Sequence, residues 1–380
     1  MILVNMVSIR AGGGLQNGLS FLRQIYSHST IKNKIQVVCV SGGEIESFCR
    51  ENCLNYEVIP GGRLGRLCFD FLGARKMVKD NNIDIVFNIF GPPPLSVFDS
   101  YSISGFAYSN IIHKEVPFWD FYPLRIKIAK KVKDFFRLLF YKFSNEIILE
   151  TDFLAEKARS GVFKNKIVHV VKMEPSAAIL KEGEMIKKEK CARRIDILYL
   201  SGAHPNKRIH LLSKLFFDIN SMSEIEFGLV TTLPEQNEYT RYVNRCFMND
   251  GAERFIKNIG PVPSENIATL LASCDAVINV ALLESFSNNW VEAWEFRKPL
   301  IVTDADWARH SCGEAALYID PMASGDAARK VCDMFRDHMK IEHLIKKGEE
   351  KLEEMKSSGR KIDRYVSIIE AAMNRVEVRG

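Results

Sequence analysis

The chain alternates short apolar strands with helical stretches, and it does so in two successive runs. The first run predicts strands at Ile2–Ile9, Lys34–Val40, Tyr56–Ile59, Ile83–Phe90, Asn145–Glu150 and Lys166–Val171. The second predicts strands at Ile195–Ser201, Glu226–Thr231, Phe255–Ile259, Asp275–Val280 and Pro299–Thr303. Strands that alternate with helices form parallel sheets covered by helices on both faces. With 380 residues, the chain is long enough for two such domains.

Composition and charge exclude several classes of protein. Hydrophobic residues make up 47% and charged residues 26%, as in ordinary globular proteins. A net charge of +5 is too small to indicate nucleic-acid binding by itself. The nine cysteines lack the spacing of a disulfide framework or a zinc site, which is typical of a reduced compartment. No apolar run reaches the ~18 residues of a membrane span, and the N-terminus has no basic signal segment, so we expect a cytoplasmic protein.

One stretch of the second half combines an anion site with two carboxylates. The buried strand Asp275–Val280 is followed by a loop that carries Glu284, and Ser287 precedes a helix that carries Glu292. At a helix start, unpaired backbone N–H groups and the helix dipole both favour negative charge. We therefore expect a phosphate here, with Glu284 and Glu292 on either side of it.

This stretch and its flanks resemble a known family. The pattern E-S-F-S-x-x-x-V-E, the run Lys298–Asp304 and the run Cys312–Pro321 resemble the retaining GT-B glycosyltransferases of family 4, or glycosyltransferase group 1. The resemblance is strongest from Ile195 to Pro321, and the bacterial enzymes of O-antigen and other surface polysaccharide synthesis are the most similar. It implies an α/β fold of two Rossmann-like domains facing a central cleft, with a C-terminal helix that crosses back to the N-terminal domain.

The resemblance also divides the chain by function. It implies an N-terminal acceptor-binding domain at 1–178, joined by the returning helix at about 361–380, and a C-terminal nucleotide-sugar-binding domain at 179–360. The charge-rich run Lys181–Arg194 is predicted to link them.

The same resemblance assigns roles to donor-site residues. Glu284 would contact the donor sugar, Glu292 the ribose and Lys207 the diphosphate. Many members carry an arginine just after the glycine of the Lys207 loop. Here Ala203 and His204 occupy that neighbourhood, so either His204 or Arg208 substitutes for it or one phosphate contact is missing. The loop Gly260–Ser264 would frame the base. The donor-site prediction comprises Ser201, His204, Lys207, Arg208, Val262, Glu284, Phe286, Ser287, Asn288, Asn289 and Glu292.

Two features of the first half are candidate acceptor sites. Gly12, Gly13 and Gly14 follow the first strand and form either a ligand-facing loop or a plain strand–helix turn. His113 lies in a loop region and is either a catalytic contact with the acceptor or a structural histidine.

Residues Leu124–Phe143 predict a helix with an apolar stripe and a basic face. Lys127, Lys130, Lys133 and Arg137 form the basic face, which would suit an anionic membrane surface. The alternative is that the stripe packs against the sheet while the lysines face water.

The sequence Asp304-Ala-Asp306 spells the D-x-D signature of metal-dependent glycosyltransferases, but it follows a strand of the second sheet. We expect Asp304 and Ser311 to cap local structure, and we expect no metal and no other cofactor. The partners expected are a UDP-, GDP- or dTDP-linked sugar, a lipid-linked saccharide acceptor and the inner-leaflet surface, but no nucleic acid. Two rival functions remain: a nucleotide-sugar epimerase or hydrolase of the same fold, and a catalytically silent subunit of a polysaccharide assembly complex.

Overall fold

The computed structural model describes residues 1–10, 12–28, 31–174, 194–357 and 359–378. The chain divides into two compact units, one made of Met1–Met173 with Gly359–Gly380 and the other of Glu174–Ser358. The predicted linker Lys181–Arg194 lies outside the described residues, except that Arg194 begins a strand. The predicted boundary at 178/179 lies outside them too, and it stays a prediction.

The first unit contains a seven-stranded parallel sheet of order β3-β2-β1-β4-β5-β6-β7. Its strands are β1 Ile2–Asn5, β2 Ile35–Val40, β3 Tyr56–Ile59, β4 Ile85–Asn88, β5 Tyr101–Gly105, β6 Glu146–Leu149 and β7 Ile167–Val170. Its N-terminal helices are α1 Gly12–Ile25, α2 Glu44–Glu51, α3 Gly62–Cys68, α4 Ala74–Asp80, α5 Ser109–Ile112, α6 Leu124–Tyr141 and α7 Asp152–Ser160. A π-helical turn, Phe69–Gly73, connects α3 to α4.

The second unit contains a six-stranded parallel sheet of order β10-β9-β8-β11-β12-β13. Its strands are β8 Arg194–Tyr199, β9 Glu226–Thr231, β10 Ile256–Asn258, β11 Ala276–Asn279, β12 Leu300–Thr303 and β13 Leu317–Ile319. Its helices are α8 Leu212–Met222, α9 Glu238–Asn249, α10 Ile267–Ser273, α11 Asn288–Glu295, α12 Asp306–Cys312, α13 Ser324–Arg336 and α14 His338–Ser357. The expected class of two parallel-sheet, Rossmann-like α/β domains is confirmed.

The last helix, α15 (Lys361–Glu377), belongs to the first unit although it ends the chain. It buries one apolar face, and its Tyr365 ring meets Phe21 and Phe87 edge-on at 5.4 and 5.7 Å between centroids. These contacts place α15 in the core formed by α1 and the central strands. The predicted return of the C-terminal helix to the N-terminal domain is therefore confirmed.

A buried carboxylate also holds α15 to the sheet. Glu146, the first residue of β6, is fully buried and accepts hydrogen bonds from Tyr101 (2.5 Å), His169 (2.5 Å) and Arg375 of α15 (2.7 Å). Burial alone would raise the pKa of Glu146, but hydrogen bonds from His169 and Tyr101 and the charges of His169 and Arg375 lower it overall. The carboxylate is therefore charged, and Arg375 is its fixed counter-charge.

Most predicted elements agree with the structure to within a few residues, but the sequence analysis predicted neither β5 nor β13. The reason is clearest at β5. Its sequence alternates serine with larger residues, and Ser102 and Ser104 are both fully buried. The Ser104 hydroxyl accepts hydrogen bonds from the Ser144 hydroxyl (2.8 Å) and from Nδ2 of Asn88 (3.1 Å). The glycine segment also differs from the prediction, because α1 already begins at Gly12.

Candidate functional site

The strand order of the second unit reverses between β8 and β11. Ligands of open parallel sheets bind outside the carboxyl ends of the strands at such a reversal. The segment after β8 carries Lys207, and the segment after β11 carries Glu284 and leads into α11. The fold therefore brings together two segments that lie almost eighty residues apart in the chain.

Lys207 and Glu284 form an ion pair at this position. Nζ of Lys207 contacts Oε1 of Glu284, and their side chains are only 23% and 15% exposed. The hydroxyl of the fully buried Tyr199 donates to the Lys207 carbonyl at 2.6 Å, which anchors the lysine backbone to the end of β8. Lys207 lies in a 3-10 turn, Pro205–Lys207, and α8 begins only at Leu212.

Asn206 joins the two segments, and sequence reasoning did not identify it. Its side-chain Nδ2 donates to the Leu283 carbonyl at 2.9 Å, while its Oδ1 accepts from the Leu283 N–H at 3.2 Å. Its backbone carbonyl accepts from the Leu282 N–H at 2.8 Å. An asparagine after a proline indicates only a turn. Three bonds to the two residues before Glu284 make Asn206 a positioning residue for that carboxylate.

The first turn of α11 has no side-chain cap. Ser287 occupies the N-cap position, but its hydroxyl accepts no hydrogen bond from a helix amide. Its Oγ accepts instead from Nδ2 of the buried Asn279 at 3.2 Å, and Oδ1 of Asn279 accepts from the Ala281 N–H at 3.1 Å. Asn279 thus shapes the loop from β11 to α11, and the amides at the helix start keep their affinity for an anion.

Glu292 lies one turn into α11 and is only 6% exposed. Its Oε2 is buried and has no hydrogen-bond partner among the described residues. Because burial disfavours the charged form, the pKa of Glu292 is raised to about 7. A buried, unpartnered carboxylate beside an anion site suits hydrogen bonding to the hydroxyl groups of a bound ligand.

The raised pKa of Glu292 predicts how the stability of the protein depends on pH. A carboxyl with a higher pKa in the folded than in the unfolded chain binds its proton more tightly when folded, so it destabilises the protein as pH rises from about 4.5 to 7. Between these pH values wild type should lose about 3 kcal/mol of folding stability through Glu292, and Glu292→Gln should abolish this loss. Urea unfolding of both proteins at pH 5 and pH 8 measures it. Parallel pH dependences for wild type and variant would contradict the assignment.

His204 and Arg208 were the two candidates for a second phosphate contact. Nδ1 of His204 accepts from the Asn206 N–H at 3.1 Å, so in the neutral ring the proton lies on Nε2. Arg208 adopts a left-handed backbone with φ +54°, which costs a non-glycine residue about 1–2 kcal/mol, and burial lowers its pKa. Strain held at one site is consistent with a functional arginine, and both residues stay candidates.

The other predicted donor residues lie in the same unit. Ser201 follows β8, and its N–H donates to Oγ1 of Thr232 at 3.0 Å. The Asn289 side chain donates to the Leu200 carbonyl, which ties the start of α11 to the end of β8. The Phe286 ring contacts Trp290 at 5.2 Å between centroids. Asn288 is the first residue of α11, and Val262 follows β10 at the same edge of the parallel sheet.

The acceptor candidates lie in the first unit. Gly12, Gly13 and Gly14 form the first turn of α1, and an added Cβ at any of them would meet no atom within 4 Å. Only Gly12, with φ +64°, needs glycine for its backbone. His113 is 2% exposed, and its Nδ1 lies 2.9 Å from Glu115 and 3.2 Å from Lys157. Its role as an acceptor contact stays a prediction.

The basic face of α6 does not face water as a whole. Lys127 pairs with Asp120 at 2.6 Å, and Lys130 lies over the rings of Trp119 and Tyr122 at 4.4 and 4.3 Å. Arg137 pairs with the buried Asp134 at 2.7 Å and lies over the Tyr108 ring. Of the four predicted docking residues, Lys133 is the exposed one.

The apolar stripe of α6 faces solvent instead. Its exposed members are Leu124, Ile128, Val132, Phe135, Phe136 and Leu139, followed by Phe143. The expectation that this stripe packs against the sheet with the lysines in water is therefore wrong. Asp134 explains the reversal, because its buried carboxylate binds Trp119, Asn110 and Arg137, and these bonds turn the charged face inward.

Asp304 forms two hydrogen bonds with the Arg309 guanidinium at 2.6 and 2.8 Å, and these lower its pKa. It does not cap α12, whose N-cap is Ala305, and the Ser311 hydroxyl donates to the Trp307 carbonyl within that helix. The capping expectation for Asp304 and Ser311 is therefore wrong. Among the described residues, no group of three or more His, Cys, Asp or Glu side chains could hold a metal ion.

Comparison with known proteins gives one family match, over the segment that carries the predicted donor site. Residues 194–337, which lie in the second unit, match the family described as "Glycosyl transferases group 1". That segment contains every residue of the predicted donor site. A search of curated proteins found no significant match.

Solved structures show the fold over almost the whole chain. A glycosyltransferase from Rickettsia africae is 15% identical, with 98% of each chain covered and a TM-score of 0.71. HepE from Anabaena, solved with UDP and glucose, is 15% identical, with 98% of this chain and 99% of that chain covered and a TM-score of 0.66. A UDP-forming α,α-trehalose-phosphate synthase from Burkholderia vietnamiensis is 12% identical, with 97% and 99% covered and a TM-score of 0.68. The two Rossmann-like units therefore have the fold of GT-B glycosyltransferases.

No helix in the described part of the chain combines the length and the apolar composition that crossing a membrane requires.

Proposed function

We propose that this protein is a retaining glycosyltransferase of family 4 that moves a hexosyl group from a nucleotide-diphosphate sugar to a lipid-linked saccharide. Its product would enter bacterial O-antigen or another surface polysaccharide. One arrangement carries the proposal: the Lys207–Glu284 pair lies beside the uncapped start of α11, and the buried Glu292 follows one turn later.

The chemistry follows from where negative charge develops. When the bond between the sugar and the diphosphate breaks, charge grows on the leaving phosphate. Lys207 and the amides of Ser287–Asn289 supply fixed positive potential at that place, which is usually the largest catalytic contribution. In the free protein Glu284 neutralises Lys207, and in the complex it would share the lysine with the diphosphate and orient the sugar. Glu292 would hold the ribose.

The retaining outcome is proposed without a covalent intermediate. Glu284 is ion-paired with Lys207, and Glu292 is buried. Neither carboxylate is assigned as a nucleophile. In this proposal the acceptor attacks on the face from which the diphosphate leaves, and the departing phosphate takes the acceptor's proton.

The acceptor side belongs to the first unit in this proposal, with Gly12–Gly14 and His113 as its candidate contacts. A lipid-linked saccharide keeps its lipid in the inner leaflet of the cell membrane. The enzyme would therefore work in the cytoplasm and dock on that leaflet, where each basic residue near an anionic surface contributes about 1 kcal/mol. The sequence predicted Lys127, Lys130, Lys133 and Arg137 for this contact. Of these four, Lys133 is exposed and is the one proposed to meet the headgroups directly.

Incubation with UDP-, GDP- and dTDP-sugars, with and without lipid-linked acceptors, tests the proposal. UDP-sugars come first because HepE was solved with UDP and glucose. Sugar transfer that requires the acceptor supports the proposed function. An epimerised or hydrolysed donor without acceptor would favour the rival enzyme, and binding without turnover would favour a silent subunit.

Metal independence is a further prediction of this function. Arg309 already neutralises Asp304, and the lysine and helix amides replace a divalent ion at the diphosphate. We expect the double variant Asp304→Asn/Asp306→Asn to transfer sugar within about threefold of wild type, since in this proposal neither side chain contacts the donor. We expect a chelator to leave the wild-type rate unchanged. A complete loss with chelator that manganese restores would contradict this prediction.

A further inference from the structure

The exposed apolar stripe of α6 is part of a larger surface. A second segment, α3 with the π-helical turn, also presents large apolar side chains to solvent. Leu64 is 78% exposed and Leu72 is 74% exposed, and Leu67 and Phe71 are at least half exposed. Positions 64, 67 and 71 recur at helical spacing, so these side chains share one face.

The two segments adjoin each other. The rings of Phe98 and Phe143 lie 5.6 Å apart, and Phe98 ends the short 3-10 turn Leu95–Val97 that packs against the π-helical turn. Arg63 of α3 is close enough to Lys133 of α6 to help lower the pKa of that lysine, although Arg137 is the largest cause. We call this joint surface, made of Gly62–Gly73, Phe98, Leu124–Tyr141 and Phe143, the apolar–basic face.

The positive charge of the apolar–basic face indicates which kind of partner binds there. The exposed charged residues of Gly62–Gly73 and Leu124–Tyr141 are Arg63, Arg125, Lys131 and Lys133, a net charge of +4, and the two acidic residues of these ranges are not exposed. Both acids are already paired, Asp70 with Arg66 and Asp134 with Arg137. A second copy of this chain would bring two strongly positive surfaces together, which is repulsive. An anionic lipid surface matches the charge and also takes up the apolar side chains.

We infer that the apolar–basic face inserts into an anionic bilayer, with Leu64 and Leu72 of one segment and Phe135 and Phe136 of the other as its apolar anchors. This inference rests on the proposed membrane docking and goes beyond it. It assigns the contact to the outward apolar stripe of α6 and to a second segment that the docking helix alone does not include. Lys127, Lys130 and Arg137 then support the helix from its protein-facing side, while Arg63, Arg125, Lys131 and Lys133 face the headgroups.

Large apolar side chains exposed next to one another on two adjoining segments are typical of an interaction site. In this inference both segments insert into the bilayer side by side, so the contact is a two-dimensional surface and not a single helix. Such a surface fixes the orientation of the first unit on the bilayer, because two separate lines of anchors resist rotation about either helix axis. The acceptor would then be presented to the protein in one orientation.

Sedimentation with phosphatidylcholine vesicles, with and without phosphatidylglycerol, tests the inference. We expect wild type to bind the vesicles that contain phosphatidylglycerol. We expect Leu64→Ser/Leu72→Ser and Phe135→Ser/Phe136→Ser each to weaken the partition by about tenfold or more, since each removes two inserting side chains. The matched control is Met322→Ser/Met339→Ser, whose residues are 69% and 72% exposed in the other unit and which should bind like wild type.

The outcomes separate the inference from the function on which it rests. Because all four anchors are exposed, thermal melts of the variants should match wild type. If wild type binds and only the Phe135/Phe136 variant is weakened, docking stands and the two-segment inference is overturned. If wild type does not bind phosphatidylglycerol vesicles, membrane docking itself fails, while transfer to a soluble acceptor would still be measurable. A lipid-free dimer that Leu64→Ser/Leu72→Ser dissociates would overturn the inference in favour of self-association.

Discussion

Lys207→Ala is expected to lower kcat/KM for sugar transfer by about a hundredfold to a thousandfold. The substitution removes the fixed positive charge nearest to the proposed leaving phosphate, and the loss of one such stabilising group costs about 3–4 kcal/mol of the barrier. It also leaves Glu284, which is only 15% exposed, without its counter-charge. Steady-state rates with a fixed acceptor and a varied nucleotide sugar measure the effect.

Two controls separate charge from folding. Lys207→Arg keeps the charge with a different shape, so it should retain more activity than the alanine variant. Lys214→Ala removes an exposed lysine from α8 and should leave the rate unchanged. A rate for Lys207→Ala within fivefold of wild type, with a folded protein, would show that the diphosphate does not contact this lysine.

Arg375→Ala is expected to destabilise the first unit by about 3 kcal/mol. It leaves the fully buried carboxylate of Glu146 without its arginine, and such uncompensated charges are costly. His169 and Tyr101 still donate to Glu146, so the effect should lie at the lower end of the range for buried pairs. It should shrink at acidic pH, because Glu146 can then take up a proton. Urea unfolding at pH 7 and pH 5 measures both effects.

The matched control for this prediction lies on the same helix. Arg364 is an exposed residue of α15, and Arg364→Ala should change stability by no more than about 0.5 kcal/mol. The double variant Glu146→Gln/Arg375→Met removes both charges and should be more stable than Arg375→Ala alone. An Arg375→Ala variant as stable as the Arg364→Ala control would mean that Glu146 does not depend on α15.

The sequence was sufficient to predict the two parallel sheets, because most of the strands are apolar and β-branched and alternate with helices. It failed at β5, where Ser102 and Ser104 are fully buried polar residues. The Ser104 side chain belongs to a hydrogen-bond network whose partners, Asn88 and Ser144, come from other segments. Local pattern rules assume that a buried strand is apolar, and a long-range polar network breaks that assumption.

The candidate site was predictable where one short segment carries the signal. Glu284, Ser287 and Glu292 follow one strand and enter one helix, so their order along the chain predicts that they lie close together. Asn206 could not be found in this way, since its importance depends on bonds to Leu283, which is 77 positions away. The orientation of α6 was missed for a related reason. Amphipathic spacing defines two faces of a helix, but the buried Asp134 and its partners decide which face points inward.

Isothermal titration of nucleotide sugars tests the central claim most directly, because it detects the donor site without needing the acceptor. The account predicts that wild type binds at least one UDP-, GDP- or dTDP-sugar. Glu292→Ala should weaken that binding by about tenfold to a hundredfold, since a buried hydrogen bond to a charged group contributes about 1.5–3 kcal/mol. Glu284→Ala should retain most of the affinity and lose turnover. Equal affinities of wild type and Glu292→Ala for the bound donor would contradict the placement of the nucleotide at α11.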